Sequence, residues 1–404
     1  MSNVIALPRP FSATRVVGVC ILIAVLEGYD IQAIGVAAPT LAPALKLGPQ
    51  AVGLAGSMAM VGLIFGAALG GWIADRVGRR PVLVVSAACF GLFSLMTAVA
   101  GDAQTLLLSR FLTGLGFGGA MPNMIAMAGE ASAPRRRIST VTAIFVGMPA
   151  GGALAALLAR FLPAGFDWRL IFVVGGVAPL VIAPLAAFVL PETLSRSRSP
   201  AAAAGGRPLN ALFGDGRALP TLLLWSAFAA TLVVLSMMLA WLPLLVVAKG
   251  LPKDLGASAA LAFNGAGIVG GLAVGGAIDR WGARWPLLTA LALLAAGMGL
   301  LAAAAAPGAV LALSALAGLG VMGAQFSLYA LAPRYYPAAA QATGAGAAVG
   351  AGRIGSILGP ILAGTLRAAH AGPGETLAWT APVVAIAALS VLILTQRDRQ
   401  AFAA

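Results

Sequence analysis

Four charged residues stand where charge is expensive. Glu27 and Asp30 lie three apart in LEGYDIQAIGVAAPTL (Leu26 to Leu41), inside an otherwise apolar run, and Arg110 and Arg353 fall within two further apolar runs. A spacing of i and i+3 puts both acids on one helix face. A carboxylate at the centre of a bilayer costs roughly 2.5–3.5 kcal/mol on insertion scales, so such groups pair with one another, relay protons or meet a ligand. A guanidinium keeps its charge and offers a planar fork that matches a carboxylate. At about 1.5 Å per residue, Asp30 lies roughly 22 Å from the start of its run, Arg110 roughly 9 Å and Arg353 roughly 18 Å from theirs. With alternating chain direction the three share one layer near the middle of a core about 30 Å thick. The chemistry expected of that layer is an anion gripped by arginine and a proton carried by a carboxylate. Arg110 has two readings of equal standing, substrate contact or neutralisation of the acids. Arg353 has no intramembrane acid in its own half and is expected to hold the anion. Tyr29, Gln32, Asn123, Trp241, Phe326 and Tyr329, with Phe145, are the candidate walls of the site, although each aromatic alone more often serves packing or an interfacial belt.

The elements that must carry these residues follow from composition. The chain of 404 residues is 60% hydrophobic and 9% charged, whereas a soluble domain is about a quarter charged. A polytopic all-α membrane protein is expected. Apolar segments of spanning length fall near residues 15–38, 51–74, 82–100, 104–128, 138–160, 169–190, 218–241, 257–278, 286–305, 308–331, 341–366 and 377–395. The first is too long for a signal peptide and is expected to stay as a span. An Arg-, Ser-, Gly- and Pro-rich stretch predicts a cytoplasmic linker over 191–217 between six-helix bundles at 1–190 and 218–404. With the N-terminus inside, 17 basic residues lie on the cytoplasmic side and 6 on the other, so both termini are expected in the cytoplasm. The net charge of +13 is scattered in short clusters without a basic face, which argues against nucleic acid. Cys20 and Cys89 sit in apolar runs and imply neither a disulfide nor a metal site. His370 falls in a Gly-Pro loop. No hydrolase triad, HExxH or Walker lysine is present, so no enzyme activity, metal or other cofactor is expected.

The halves repeat. GWIADRVGRR (Gly71 to Arg80) returns as GGAIDRWGAR (Gly275 to Arg284), and LGFGGA (Leu115 to Ala120) as LGVMGA (Leu319 to Ala324), both at an offset of 204. One register for two separate segments implies a duplicated bundle with a substrate site between the copies. The two loop motifs, with Gly71, Asp75, Arg76, Gly78, Arg79, Arg80, Gly275, Asp279, Arg280, Gly282 and Arg284, are expected to lock the cytoplasmic side when it closes. The first glycine would permit close helix approach and the aspartate would pair or cap a helix. Glu130 with Arg135, Arg136 and Arg137 extends that charge network.

These motifs resemble the major facilitator superfamily: the loop between spans two and three and its second copy, RFLTGLGFGG (Arg110 to Gly119) in span four, Glu130 to Arg137 after it, and PETLSR (Pro191 to Arg196) closing the first half. EGYDIQAIGVAAPTL and GRIGSILGP (Gly352 to Pro360) resemble the aromatic acid:proton symporters, whose first-span signature is usually Asp-Gly-Tyr-Asp; here Glu27 takes the first acidic place. The resemblance implies twelve spans in two pseudo-symmetric bundles and a monomer in a bacterial inner membrane. It implies import of a small organic anion, a benzoate-type carboxylate, driven by the proton gradient, with Asp30 as obligatory carrier and Glu27 tuning it. GMPAGG (Gly147 to Gly152) loosely resembles an antiporter motif, which keeps a proton-driven exporter as the alternative. A membrane enzyme or passive channel fits less well.

Overall fold

The computed structural model describes residues 13–133, 137–162, 167–191, 212–337 and 340–403. The first half comprises α1 (Ala13–Ala44), α2 (Pro49–Val77), α3 (Arg79–Ala98), α4 (Ala103–Ala131), α5 (Arg137–Phe161) and α6 (Arg169–Val189). The second comprises α7 (Ala218–Ala248), α8 (Lys253–Trp281), α9 (Arg284–Ala303), α10 (Pro307–Leu331), a 3-10 turn (Ala332–Tyr335), α11 (Gln341–Ala368), a short α12 (Pro373–Ala378) and α13 (Thr380–Ala403). Most of the expected linker lies outside the described residues. In a bilayer every backbone polar group needs an internal partner, so such apolar chains fold as helices.

Eleven of these segments are long and apolar enough to cross a membrane, α12 and α13 counting together as the last. The twelfth expected span, α4, has the length but not the hydropathy, because Arg110 and its glycines dilute the apolar content. It compensates by burial: Arg110, Gly114, Gly116, Phe117, Gly118 and Gly119 are all shielded inside the first bundle. The helices also outrun the apolar segments read from sequence, α1 ending at Ala44 and α8 starting at Lys253, because helical pairing continues past the hydrocarbon layer.

The duplication is visible in backbone detail. α2 and α8 have corresponding limits, residues 49–77 and 253–281, at the offset of 204. Each stops at a glycine with positive φ, Gly78 at 96° and Gly282 at 77°. That region strains any residue with a Cβ, so these motif glycines are explained by the sharp break before α3 and α9.

The face where α1 begins is called here the near face and the opposite one the far face. Toward the far face the halves pack helix on helix, α2 on α11, α5 on α8 and α1 on α7. Backbones come close at Gly35 against Leu239, Gly53 against Pro360 and Gly364 against Pro49. Ser57 donates to the Ile357 carbonyl at 2.7 Å. At the far rim Arg160 donates to Ser258 at 2.8 Å and faces Asp254 at 3.7 Å. Ala257 and Ala260 of α8 enter the same apolar cluster as Ala155, Ala156 and Ala159 of α5. Toward the near face, long side chains bridge the halves: Phe145 stacks on Tyr329 with centroids 5.1 Å apart and lies 6.5 Å from Phe326.

Candidate functional site

The acids of α1 meet different fates. Asp30 and Arg110 are buried and form an ion pair, Arg110 donating to a carboxylate oxygen at 2.5 Å and to the Asp30 carbonyl at 3.3 Å. The guanidinium also lies 5.8 Å from the Phe172 ring centre. This contact is the one the neutralisation reading of Arg110 expects. Glu27, one turn away, is wholly buried and neither carboxyl oxygen has a hydrogen-bond partner. Its acting charge is Arg353, which reaches it electrostatically from α11.

α1 comes this close to its neighbours because of glycine. A Cβ on Gly28 would strike the Met148 backbone, and one on Gly151 would strike the Val25 carbonyl. The glycine inside the EGYD stretch and the GMPAGG motif are therefore two sides of one α1–α5 crossing. The sequence marked both as small residues without showing that they face each other.

A cavity of about 110 Å³ lies between the halves. It is lined by Gly28, Ile31 and Gln32 of α1, Met121 of α4, Phe145, Met148 and Pro149 of α5, and from the other half by Leu232, Ser236, Asn264, Met322, Gln325, Phe326, Tyr329, Arg353 and Ser356. Arg353 approaches the Met121 sulfur at 3.3 Å and forms no direct ion pair among the described residues. The walls are mostly apolar, with Phe326, Phe145 and Tyr329 forming a ring surface backed by Phe228, 5.2 Å from Tyr329. Such a chamber suits a flat apolar body carrying one anionic end.

Of the residues expected to touch substrate, Arg353, Gln32, Phe326 and Tyr329 reach this cavity. Tyr29, Trp241, Asn123 and Arg110 are not among its lining. Tyr29 donates to the Ile171 carbonyl at 3.0 Å, Trp241 to that of Pro360 at 3.1 Å and Asn123 to that of Gly119 at 2.8 Å. Each is occupied by a packing bond because its helix turns it away from the interface. Asn264, Gln325, Ser236 and Ser356 escaped the sequence reading. A polar residue recurring on an apolar helix was the available signal, and helix periodicity alone does not say which face meets the other half.

The loop motifs are unlatched. Asp75 and Asp279 are exposed and form no ion pair among the described residues. Glu130 pairs with Arg79, while Arg135 and Arg136 and the Arg137 side chain lie outside the described residues. Arg80 donates to the Ala187 carbonyl, Arg76 sits 3.4 Å over the Trp72 ring, Arg284 lies 5.3 Å from that of Trp285, and Arg280 is exposed. In this conformation Gly71 and Gly275 face open space, whereas Gly70 packs against Gly119 and Gly66 against Leu115. Among the described residues no group of three His, Cys, Asp or Glu could hold a metal.

Residues 20–360 match the sequence profile of the Major Facilitator Superfamily. The chain is 41% identical over 387 residues to the 3-(3-hydroxy-phenyl)propionate transporter of Escherichia coli, covering 94% of each. To the 4-hydroxybenzoate transporter PcaK of Pseudomonas aeruginosa it is 34% identical over 385 residues, covering 87% of this chain and 86% of the relative. Its backbone matches that of a bacterial homolog of the human lysosomal transporter Spinster, solved inward-facing and occupied, with a TM-score of 0.75 at 16% identity over 96% of this chain and 98% of the other. With two glycine-packed bundles of spanning helices, a central chamber and buried charges beside it, the chain belongs to the Major Facilitator Superfamily and is a multi-pass membrane transporter.

Proposed function

We propose that the protein imports a small aromatic carboxylate together with a proton across a bacterial inner membrane by alternating access. The observation that carries this reading is Arg353: a guanidinium on the wall of an aromatic-sided cavity, in no direct ion pair among the described residues and with Glu27 the acid it acts on. Two relatives that align over most of their length are named as transporters of hydroxylated aromatic acids, which supports the substrate class. A cation exporter has no use for an arginine on the cavity wall. The excess of basic residues on the near face supports a cytoplasmic near face and cytoplasmic termini. With that orientation the packed far face makes the conformation inward-facing, and the unlatched Asp75 and Asp279 fit a device that engages when the inside closes. The cycle then needs the proton gradient and no cofactor, and one chain holds a complete site.

The two acids divide the proton chemistry. Asp30 is neutralised by Arg110. Glu27 has no donor, and a carboxyl shut away from water without a donor is tolerated at low cost in its protonated form. We read Glu27 as the proton-bearing site of this conformation and Asp30 with Arg110 as its relay.

The experiment is uptake of labelled 4-hydroxybenzoate into proteoliposomes under an imposed pH gradient. Arg353→Lys keeps the charge and loses the bidentate fork. Its apparent KM should rise about tenfold or more, the effect of losing a charge-assisted bond of about 1.5–3 kcal/mol. An unchanged KM removes Arg353 from the site.

A further inference from the structure

Of the three carboxamides on the cavity wall, Gln32, Asn264 and Gln325, the first two lie together. Asn264 of α8 donates its Nδ2 to the Ala260 carbonyl at 2.8 Å, which turns its Oδ1 outward. Gln32 of α1 is buried and its Nε2 has no hydrogen-bond partner. The two side chains converge over Gly152 of α5: a Cβ there would lie 2.8 Å from Asn264 Oδ1 and 3.3 Å from Gln32 Oε1. Gly152 thus leaves room for both amides, at a seam where α1, α5 and α8 meet. Gln32 Nε2, buried and without a partner, is a costly donor unless something bonds to it, and Asn264 Oδ1 is an acceptor on the same seam.

We infer that Gln32 and Asn264 form a hydroxyl-reading subsite, which selects ring-hydroxylated aromatic acids over the unsubstituted acids; this rests on the function proposed above. A phenolic hydroxyl is donor and acceptor at once. It donates to Asn264 Oδ1 and accepts from Gln32 Nε2, while the carboxylate lies with Arg353. A bare ring edge leaves both amides unmatched. A carboxylate placed there meets the Asn264 oxygen with no proton to offer, so the pair also fixes which end of the substrate enters the seam. Sites built to bond a hydroxyl discriminate against the analogue lacking it far more sharply than apolar pockets discriminate by size.

The test compares two pairs of labelled acids, each differing by one hydroxyl: benzoate with 4-hydroxybenzoate, and 3-phenylpropionate with 3-(3-hydroxyphenyl)propionate. Initial uptake rates in proteoliposomes give kcat/KM for wild type, Gln32→Met, which keeps the length and removes the donor, and Asn264→Ala. Wild type should favour one or both hydroxylated acids by at least about tenfold. Each variant should lose that preference, with kcat/KM for the hydroxylated acid falling about tenfold or more and that for the plain acid holding or rising. A parallel fall for both acids of a pair, or a preference unchanged in both variants, overturns the subsite. Competition binding in detergent supplies the same ratio for a variant that is folded but slow. Should wild type carry none of the four acids while remaining folded and monodisperse, the functional reading fails and the subsite with it. Uptake of all four at equal rates sinks the subsite and leaves the functional reading standing.

Discussion

At the scale of single residues, the decisive contrast is between two carboxylates one helical turn apart. Removing one member of a buried ion pair strands the other charge at a cost of about 3–5 kcal/mol. Asp30→Asn should therefore lower both transport and thermal stability in detergent, and the second change Arg110→Gln should restore much of the stability. Glu27→Gln resembles the protonated acid in shape and charge, so it should fold as wild type, exchange substrate across the membrane and fail to accumulate it against a gradient. Accumulation by Glu27→Gln at the wild-type level in proteoliposomes removes that residue from proton coupling. The buried charges were legible in the sequence because charge in an apolar run is rare. Their pairing was not: spacing along α1 puts Glu27 and Asp30 on one face, but whether Arg110 reaches the first or the second depends on how α4 is rotated against α1. The sequence ranks Asp30 as the carrier, and the packing gives reason to put Glu27 in that place.

At the scale of elements, the far-face seal is a matter of missing side chains. Gly35 lets α1 lie on the Leu239 carbonyl of α7. A branched side chain there forces the helices apart, and overpacking of this kind costs about 1–3 kcal/mol. An equilibrium between two packed states then moves about 5- to 150-fold toward the one in which these helices are separated. Gly35→Val should thus populate the state open at the far face. The measurement is labelling of Ser258→Cys by a membrane-impermeant maleimide, in a background lacking Cys20 and Cys89; the rate should rise severalfold when Gly35 is replaced. Equal rates mean that this contact does not hold the seal. Eleven spanning helices were legible from hydropathy and both motif turns from repeats, and Gly78 and Gly282 show why the turns were: a positive φ needs glycine whatever surrounds it. The close approach expected of Gly71 belongs to the state closed on the inside, so in this conformation the packing falls to its neighbour. The contact formed one residue earlier, at Gly70, where the helix faces Gly119.

At the scale of the whole molecule, charge balance decides which force drives the cycle. A monovalent anion entering with one proton moves no net charge, so uptake should respond to an imposed pH gradient and be indifferent to a potassium diffusion potential at constant pH. Each further proton would add about 2.3 kcal/mol per 100 mV, an effect easily read as a potential-dependent rise in accumulation. That the chain is a duplicated bundle was legible from one offset shared by two segments; the conformation was not, because the same helices pack through either face. The offset also records a history. Shifted by 204, Glu27 falls on Thr231, Asp30 on Val234 and Arg110 on Ser314, while Arg353 shifts back onto Pro149. The two copies that once were alike no longer hold a single one of these charges in common. On the function proposed above, custody of the proton falls to the first copy and custody of the anion to the second, so each turnover depends on the two repeats meeting across a seam that neither forms alone.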